Sequence, residues 1–91
     1  MNWEKVILTT HANERGYQRI FGIEPDSPEK LKKWLEKDCI YNPLTKKIML
    51  TSFNLECVYK ESDDNIIIIT IKEPEKVFHN YDRMAHRKAT K

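Results

Sequence analysis

Asn65–Lys72 reads NIIIITIK. Four consecutive isoleucines, followed by Thr70 and Ile71, leave no alternate position for water. Strict alternation marks a strand with one wet face, whereas a short run apolar on both faces marks a strand covered on both sides. An edge strand of this composition would be an aggregation hazard. The run is therefore expected as the central strand of a small sheet, ended by Pro74. Upstream, ESDDN is a hairpin loop. Before it, Leu55, Cys57 and Tyr59 alternate with Glu56, Val58 and Lys60, as in a sheet with one wetter face. Lys46–Phe53 is a further β-rich run, and SFN after it is either a turn or a bulge in one long strand.

Asn42-Pro43 separates these runs from two helices. For the second helix, to about Asp38, Ser27 is an N-cap, Pro28 suits the first helical position and Glu29 favours the positive end of the macrodipole. Leu31, Trp34 and Leu35 form its apolar face, and Lys30, Lys32, Lys33, Glu36 and Lys37 point outward as a solvated face. The first helix covers about Thr10 to Phe21, with Thr9 and Thr10 as candidate caps. Ala12, Gly16, Ile20 and Phe21 make its inward stripe. Gly16 weakens that helix by about 1 kcal/mol relative to alanine, so something is expected to pack closely against it. Trp3–Leu8 is β-prone, a first edge strand or a packed arm. The fold class is thus α+β, with two N-terminal helices on a small antiparallel sheet, in the order (β)-α-α-β-β-β. The expected core is Ile20, Phe21, Leu31, Trp34, Leu35, Leu50, Leu55, Cys57, Ile67, Ile69 and Ile71. Residues 1–74 read as one domain and 75–91 as a basic C-terminal extension.

The chain has 91 residues, 33% of them charged and 40% hydrophobic, with only two glycines. That length supports one modest core, and that mix fits a folded globule better than a disordered chain. The net charge of +2 does not by itself imply nucleic acid. Its placement is more telling, because Arg83, Arg87, Lys88 and Lys91 follow one another with no acid between them. No apolar run resembles a signal peptide or approaches the roughly 18 residues that span a membrane. Cys39 and Cys57 lack metal-ligand spacing and read as small apolar residues in a reducing compartment. A cytoplasmic protein with no metal and no cofactor is the expectation.

Chemistry concentrates in THANERGYQRIFGI, from Thr10 to Ile23. His11, Arg15 and Arg19 recur every fourth residue. At about 100° per residue, each step of four turns only about 40°, so the three form one stripe. An imidazole beside two permanent cations is a cradle for an anionic oxygen such as a phosphate. The plain alternative is a surface helix whose arginines pair with nearby acids such as Glu14.

The same stretch, His11-x3-Arg15-x3-Arg19 followed by Gly22-Ile23, resembles an uncharacterised family of RelE-like bacterial and phage proteins, within the RelE-type toxins and ribonucleases. The second amphipathic helix and the closing Ile69-Thr70-Ile71 strand resemble it too. The likeness covers Val6 to Lys72, but Ile20 and Phe21 intervene before the Gly-Ile pair. It implies a toxin-related, metal-independent endoribonuclease acting on mRNA. His11, Arg15 and Arg19 would be catalytic, and Arg15, Arg19 and Thr70 would contact substrate, joined by Tyr81 and Arg83 from the basic extension, which lies outside the likeness. His79, Tyr81 and Arg83 would supply the second proton-transfer group if the extension folds back. The implied partners are RNA, the ribosome, or a cognate antitoxin, with no membrane. The alternative is a non-catalytic phage or mobile-element protein that binds RNA, the ribosome or another protein.

Overall fold

The isoleucine run forms the last strand of the computed structural model, which describes residues 1–74. A single 3-10 turn, Trp3–Lys5, leads into strand β1, Val6–Leu8. Helix α1, Thr10–Gly16, continues as a π-helical turn, Tyr17–Phe21. Helix α2 spans Pro28–Asp38 and passes directly into β2, Cys39–Asn42. Strands β3, Lys47–Leu50, β4, Glu56–Ser62, and β5, Asn65–Lys72, complete one five-stranded sheet in the order β1-β5-β4-β3-β2.

The α+β class holds, but the sheet is mixed and not antiparallel. β1 runs parallel to β5, with Val6 opposite Ile66 and Leu8 opposite Ile68, while every other pairing is antiparallel. Parallel neighbours require a long crossover, and both helices and the three strands β2–β4 lie between these two. β2 is also additional to the expected order. Only four residues long, it follows the helix with no turn signal, and Cys39 and Tyr41 pack inward only because β3 pairs with it.

β5 is interior, flanked by β1 and β4, yet it does not keep one alternation throughout. Val58 pairs with Thr70 and the next residue, Tyr59, with Ile68, so Ile69 is skipped as a bulge. The extra residue shifts the phase by one. Ile66 and Ile68 therefore face inward before the bulge and Ile71 after it. This corrects the expected core: Ile68 replaces Ile67 and Ile69, and Ile69 is 37% exposed. The helices cover one face of the sheet. On the other face Ile7 and Ile40 are also exposed, so the two-sided cover expected for β5 is not present among the described residues.

Two further corrections concern aromatics. Phe21 is exposed, because Ala12, Gly16 and Ile20 occupy the inward stripe and position 21 falls about 100° to its side. Trp34 is only half-buried, packed against a core that α2 enters through Leu31 and Leu35. Val6, Ala12, Tyr17, Ile48 and Ile68 join that core in addition to those expected. Gly16 does mark a close approach. A Cβ there would meet Leu31 Cδ2 at 2.5 Å and Ile71 Cδ1 at 3.0 Å.

Both caps read from sequence form. The Glu29 N–H donates to Ser27 Oγ at 3.2 Å with Pro28 in the first turn, and the Ala12 N–H donates to Thr9 Oγ1 at 3.0 Å. Thr9 does more than cap. Its hydroxyl donates to the Ile69 carbonyl at 3.0 Å, and its N–H donates to the Ile68 carbonyl at 3.1 Å. Two carbonyls at the bulge thus fasten the start of α1.

Candidate functional site

α1 is held on two sides. Inward, Ala12, Gly16 and Ile20 meet the core. On the flank toward α2, Asn13 Nδ2 donates to the Asp26 carbonyl at 2.9 Å, and the Tyr17 hydroxyl donates to the Ser27 carbonyl at 2.7 Å. Burial, with Asp26 nearby, raises the Tyr17 phenol above its ordinary range, so it stays protonated and serves as a donor. Asn13 Oδ1 is buried with no hydrogen-bond partner among the described residues.

His11, Arg15 and Arg19 occupy the opposite flank. His11 and Arg19 are exposed and Arg15 is half-buried. Between Arg15 and Arg19 the helix widens into the π turn, whose bonds reach five residues back, so each residue turns the chain less. The drift around the axis is reduced there, and Arg19 stays near the line of Arg15. Gly22, at φ +65°, then ends the helix in the left-handed region that glycine favours. Arg15 Nη1 donates to Gln18 Oε1 at 3.0 Å, a neutral partner that orients the guanidinium without neutralising it. Neither arginine pairs with a carboxylate among the described residues, where the ion pair is Lys30–Asp26 at 3.2 Å. The pairing of Arg15 with Glu14 is therefore not formed among the described residues.

The remaining candidates do not gather here. Thr70 lies opposite Val58, on the sheet face turned away from the helices. His79, Tyr81 and Arg83 lie outside the described residues. Cys57 is buried and Cys39 half-buried, both as free thiols. A hydrogen bond with the Cys57 thiol, together with burial, pushes Cys39 far up, so it stays a protonated thiol and not a nucleophile. No cluster of three His, Cys, Asp or Glu suited to a metal forms among the described residues.

Two features escaped the sequence. Where β3 begins and β4 runs on past it, a cleft of about 330 Å³ is lined by Lys46, Lys47, Glu56, Val58, Tyr59 and Lys72. Beside it the Tyr59 hydroxyl donates to the Lys46 carbonyl at 2.7 Å, and burial raises its phenol. The second is a row of rings, with Tyr17 and Phe21 centroids 5.9 Å apart, Phe21 and Trp34 5.3 Å, and Trp34 and Phe53 6.1 Å. Phe53 sits in the loop after β3, so only tertiary contact brings it to Trp34. The one local hint was an aromatic in an otherwise polar SFN segment.

Comparisons with protein-family models, with curated proteins and with solved structures returned no match.

Proposed function

We propose that this chain is a RelE-like RNA-binding protein that grips a backbone phosphate with Arg15 and Arg19 and cleaves the RNA without a metal through His11. The observation that carries the reading is the stripe itself: an imidazole and two guanidiniums share one flank of α1, and neither guanidinium meets a carboxylate among the described residues. In the reaction, the His11 ring takes the proton of a ribose 2′-hydroxyl. The 2′-oxygen then bonds to phosphorus, and the bond from phosphorus to the 5′-oxygen breaks. That oxygen leaves with a proton from water, giving a cyclic phosphate and a 5′-hydroxyl end. The arginines act on the charge that builds on the phosphate oxygens, where fixed donors count most. On this reading the RNA is mRNA, free or on the ribosome, and a cognate antitoxin protein would be the natural check on it.

Binding without cleavage is the second reading. It is favoured by the fact that His11 forms no ion pair with a carboxylate among the described residues. End-labelled single-stranded RNA separates the two. General acid–base chemistry contributes about 10²–10⁴ in rate, so His11→Ala should remove cleavage by that factor and spare binding. Arg15→Gln with Arg19→Gln should weaken binding and make its salt dependence shallower. Cleavage undiminished in His11→Ala would overturn the catalytic reading, and an unchanged salt slope in the double variant would overturn the phosphate cradle. In a bacterial host, induced growth arrest relieved by His11→Ala is the matching result.

A further inference from the structure

The aromatic row is assembled from three separate elements. Phe21 comes from the π turn, Trp34 from α2 and Phe53 from the loop after β3, yet their centroids follow at 5.3 Å and 6.1 Å. The two outer rings are 41% and 40% exposed. Both ends are held. The Thr51 and Ser52 hydroxyls and the Ser52 N–H donate to the Asp38 carboxylate, which fixes the loop carrying Phe53. At the other end Phe21 closes a π turn, a distortion that recurs at functional sites.

The exposed charge beside Trp34 on α2 is basic. At about 100° per residue, Lys30, Lys33 and Lys37 lie on the flank of Trp34 turned away from the buried Leu31 and Leu35. All three are exposed. Lys30 shares its charge with Asp26 at 3.2 Å, whereas Lys33 and Lys37 form no ion pair among the described residues. Asp38, the acid on the neighbouring helical position, is turned into its bonds with Thr51 and Ser52. Partly exposed aromatic side chains beside unpaired ammonium groups complement a polyanion that carries flat, unpaired bases.

We propose that Phe21, Trp34 and Phe53 form a stacking platform for single-stranded nucleic acid, with Lys33 and Lys37 on its phosphates. The ligand class rests on the RNA reading above, but the surface is a different one. Tyr17 and Phe21 leave α1 on the side toward α2, away from His11, Arg15 and Arg19.

The test uses the full chain carrying Trp3→Phe, so that Trp34 alone fluoresces as a tryptophan, titrated with a single-stranded uridine dodecamer. The oligonucleotide should quench Trp34. Stacking on an aromatic is strong enough that Phe53→Ala should weaken binding about 5- to 160-fold, and Phe53→Tyr should restore it. Lys33→Gln with Lys37→Gln should flatten the salt slope by about 1.4, the value for two phosphates on a single strand. A duplex of equal length, whose bases are already stacked, should quench little. Loss of binding in Arg15→Gln with Arg19→Gln but none in Phe53→Ala overturns the platform and leaves the RNA reading standing. Loss in Phe53→Ala with full binding in the arginine variant supports the platform and removes the stripe from binding. Equal quenching by the duplex, or quenching by polyglutamate and not by the dodecamer, overturns the platform, the latter in favour of an acidic protein partner. Absence of any RNA binding overturns both.

Discussion

Gly16→Ala puts the packing of α1 to a direct test. The residue has ordinary helical angles, φ −60° and ψ −51°, so a side chain brings no backbone strain. On propensity alone, alanine should stabilise the helix by about 1 kcal/mol. Against that, the new methyl would stand 2.5 Å from Leu31 Cδ2 and 3.0 Å from Ile71 Cδ1. Carbon atoms pack at about 3.5–4.0 Å, so the overlap with Leu31 is about 1 Å or more. Leu31 and Ile71 are fully buried and have no open space to swing into. Overpacking of this kind costs about 1–3 kcal/mol, and a deep overlap belongs at the upper end. The net loss should be about 2 kcal/mol, a fall in Tm of about 8–16 °C for a domain of this size. Thermal melts by circular dichroism of Gly16→Ala, Leu31→Val and the double variant provide the assay. Leu31→Val removes the Cδ atoms that collide, so in that background Gly16→Ala should be neutral or stabilising, a coupling the double-mutant cycle reads directly. A parent Tm that rises on Gly16→Ala, or an equal loss in both backgrounds, would refute the reasoning.

The bulge predicts opposite outcomes at adjacent residues: Ile68→Ala should lose about 2–5 kcal/mol in urea denaturation and Ile69→Ala less than about 1 kcal/mol. Equal losses would mean that β5 keeps one phase throughout. The Asp38 carboxyl is held below its ordinary range, chiefly by the Ser52 hydroxyl. A depressed carboxylate stabilises the fold above its unfolded value near about 3.9 and loses that contribution as pH falls through the folded value. The Tm advantage of the parent over Asp38→Asn should therefore be full at pH 6 and shrink toward pH 2, and a constant gap would show that the contacts of Asp38 do not depend on its charge.

Legibility in this chain follows the range of the interaction. The caps at Thr9 and Ser27, the inward positions Ala12, Gly16, Ile20, Leu31 and Leu35, and the spacing of His11, Arg15 and Arg19 are legible because each is decided within a turn or two of helix. The identity of β2 was not, since Cys39–Asn42 becomes a strand only when β3 pairs with it. Nor was the phase of the isoleucine run. With Ile66 through Ile69 alike, no side-chain contrast reveals where one residue is skipped. Helical spacing points Phe21 and Trp34 to the core, but it cannot show that Phe53 arrives beside Trp34 at the surface. For the stripe, the residues were readable, but not the absence of a carboxylate partner among the described residues, which depends on where the other elements settle.

Thr9 has a consequence for the order in which the molecule can assemble. The hydrogen bond from its hydroxyl to the Ile69 carbonyl joins positions 60 residues apart, and β1 beside it pairs with β5. Contacts so distant in sequence form only after the chain between them has been ordered. His11, Arg15 and Arg19 thus precede β5 in the chain, yet the helix that bears them has no seat until that strand arrives. A nascent chain cut off before Asn65 carries the whole stripe and none of the carbonyls that fasten it. Orientation of those side chains is therefore tied to completion of the sheet, and a partial chain presents the charges without their alignment.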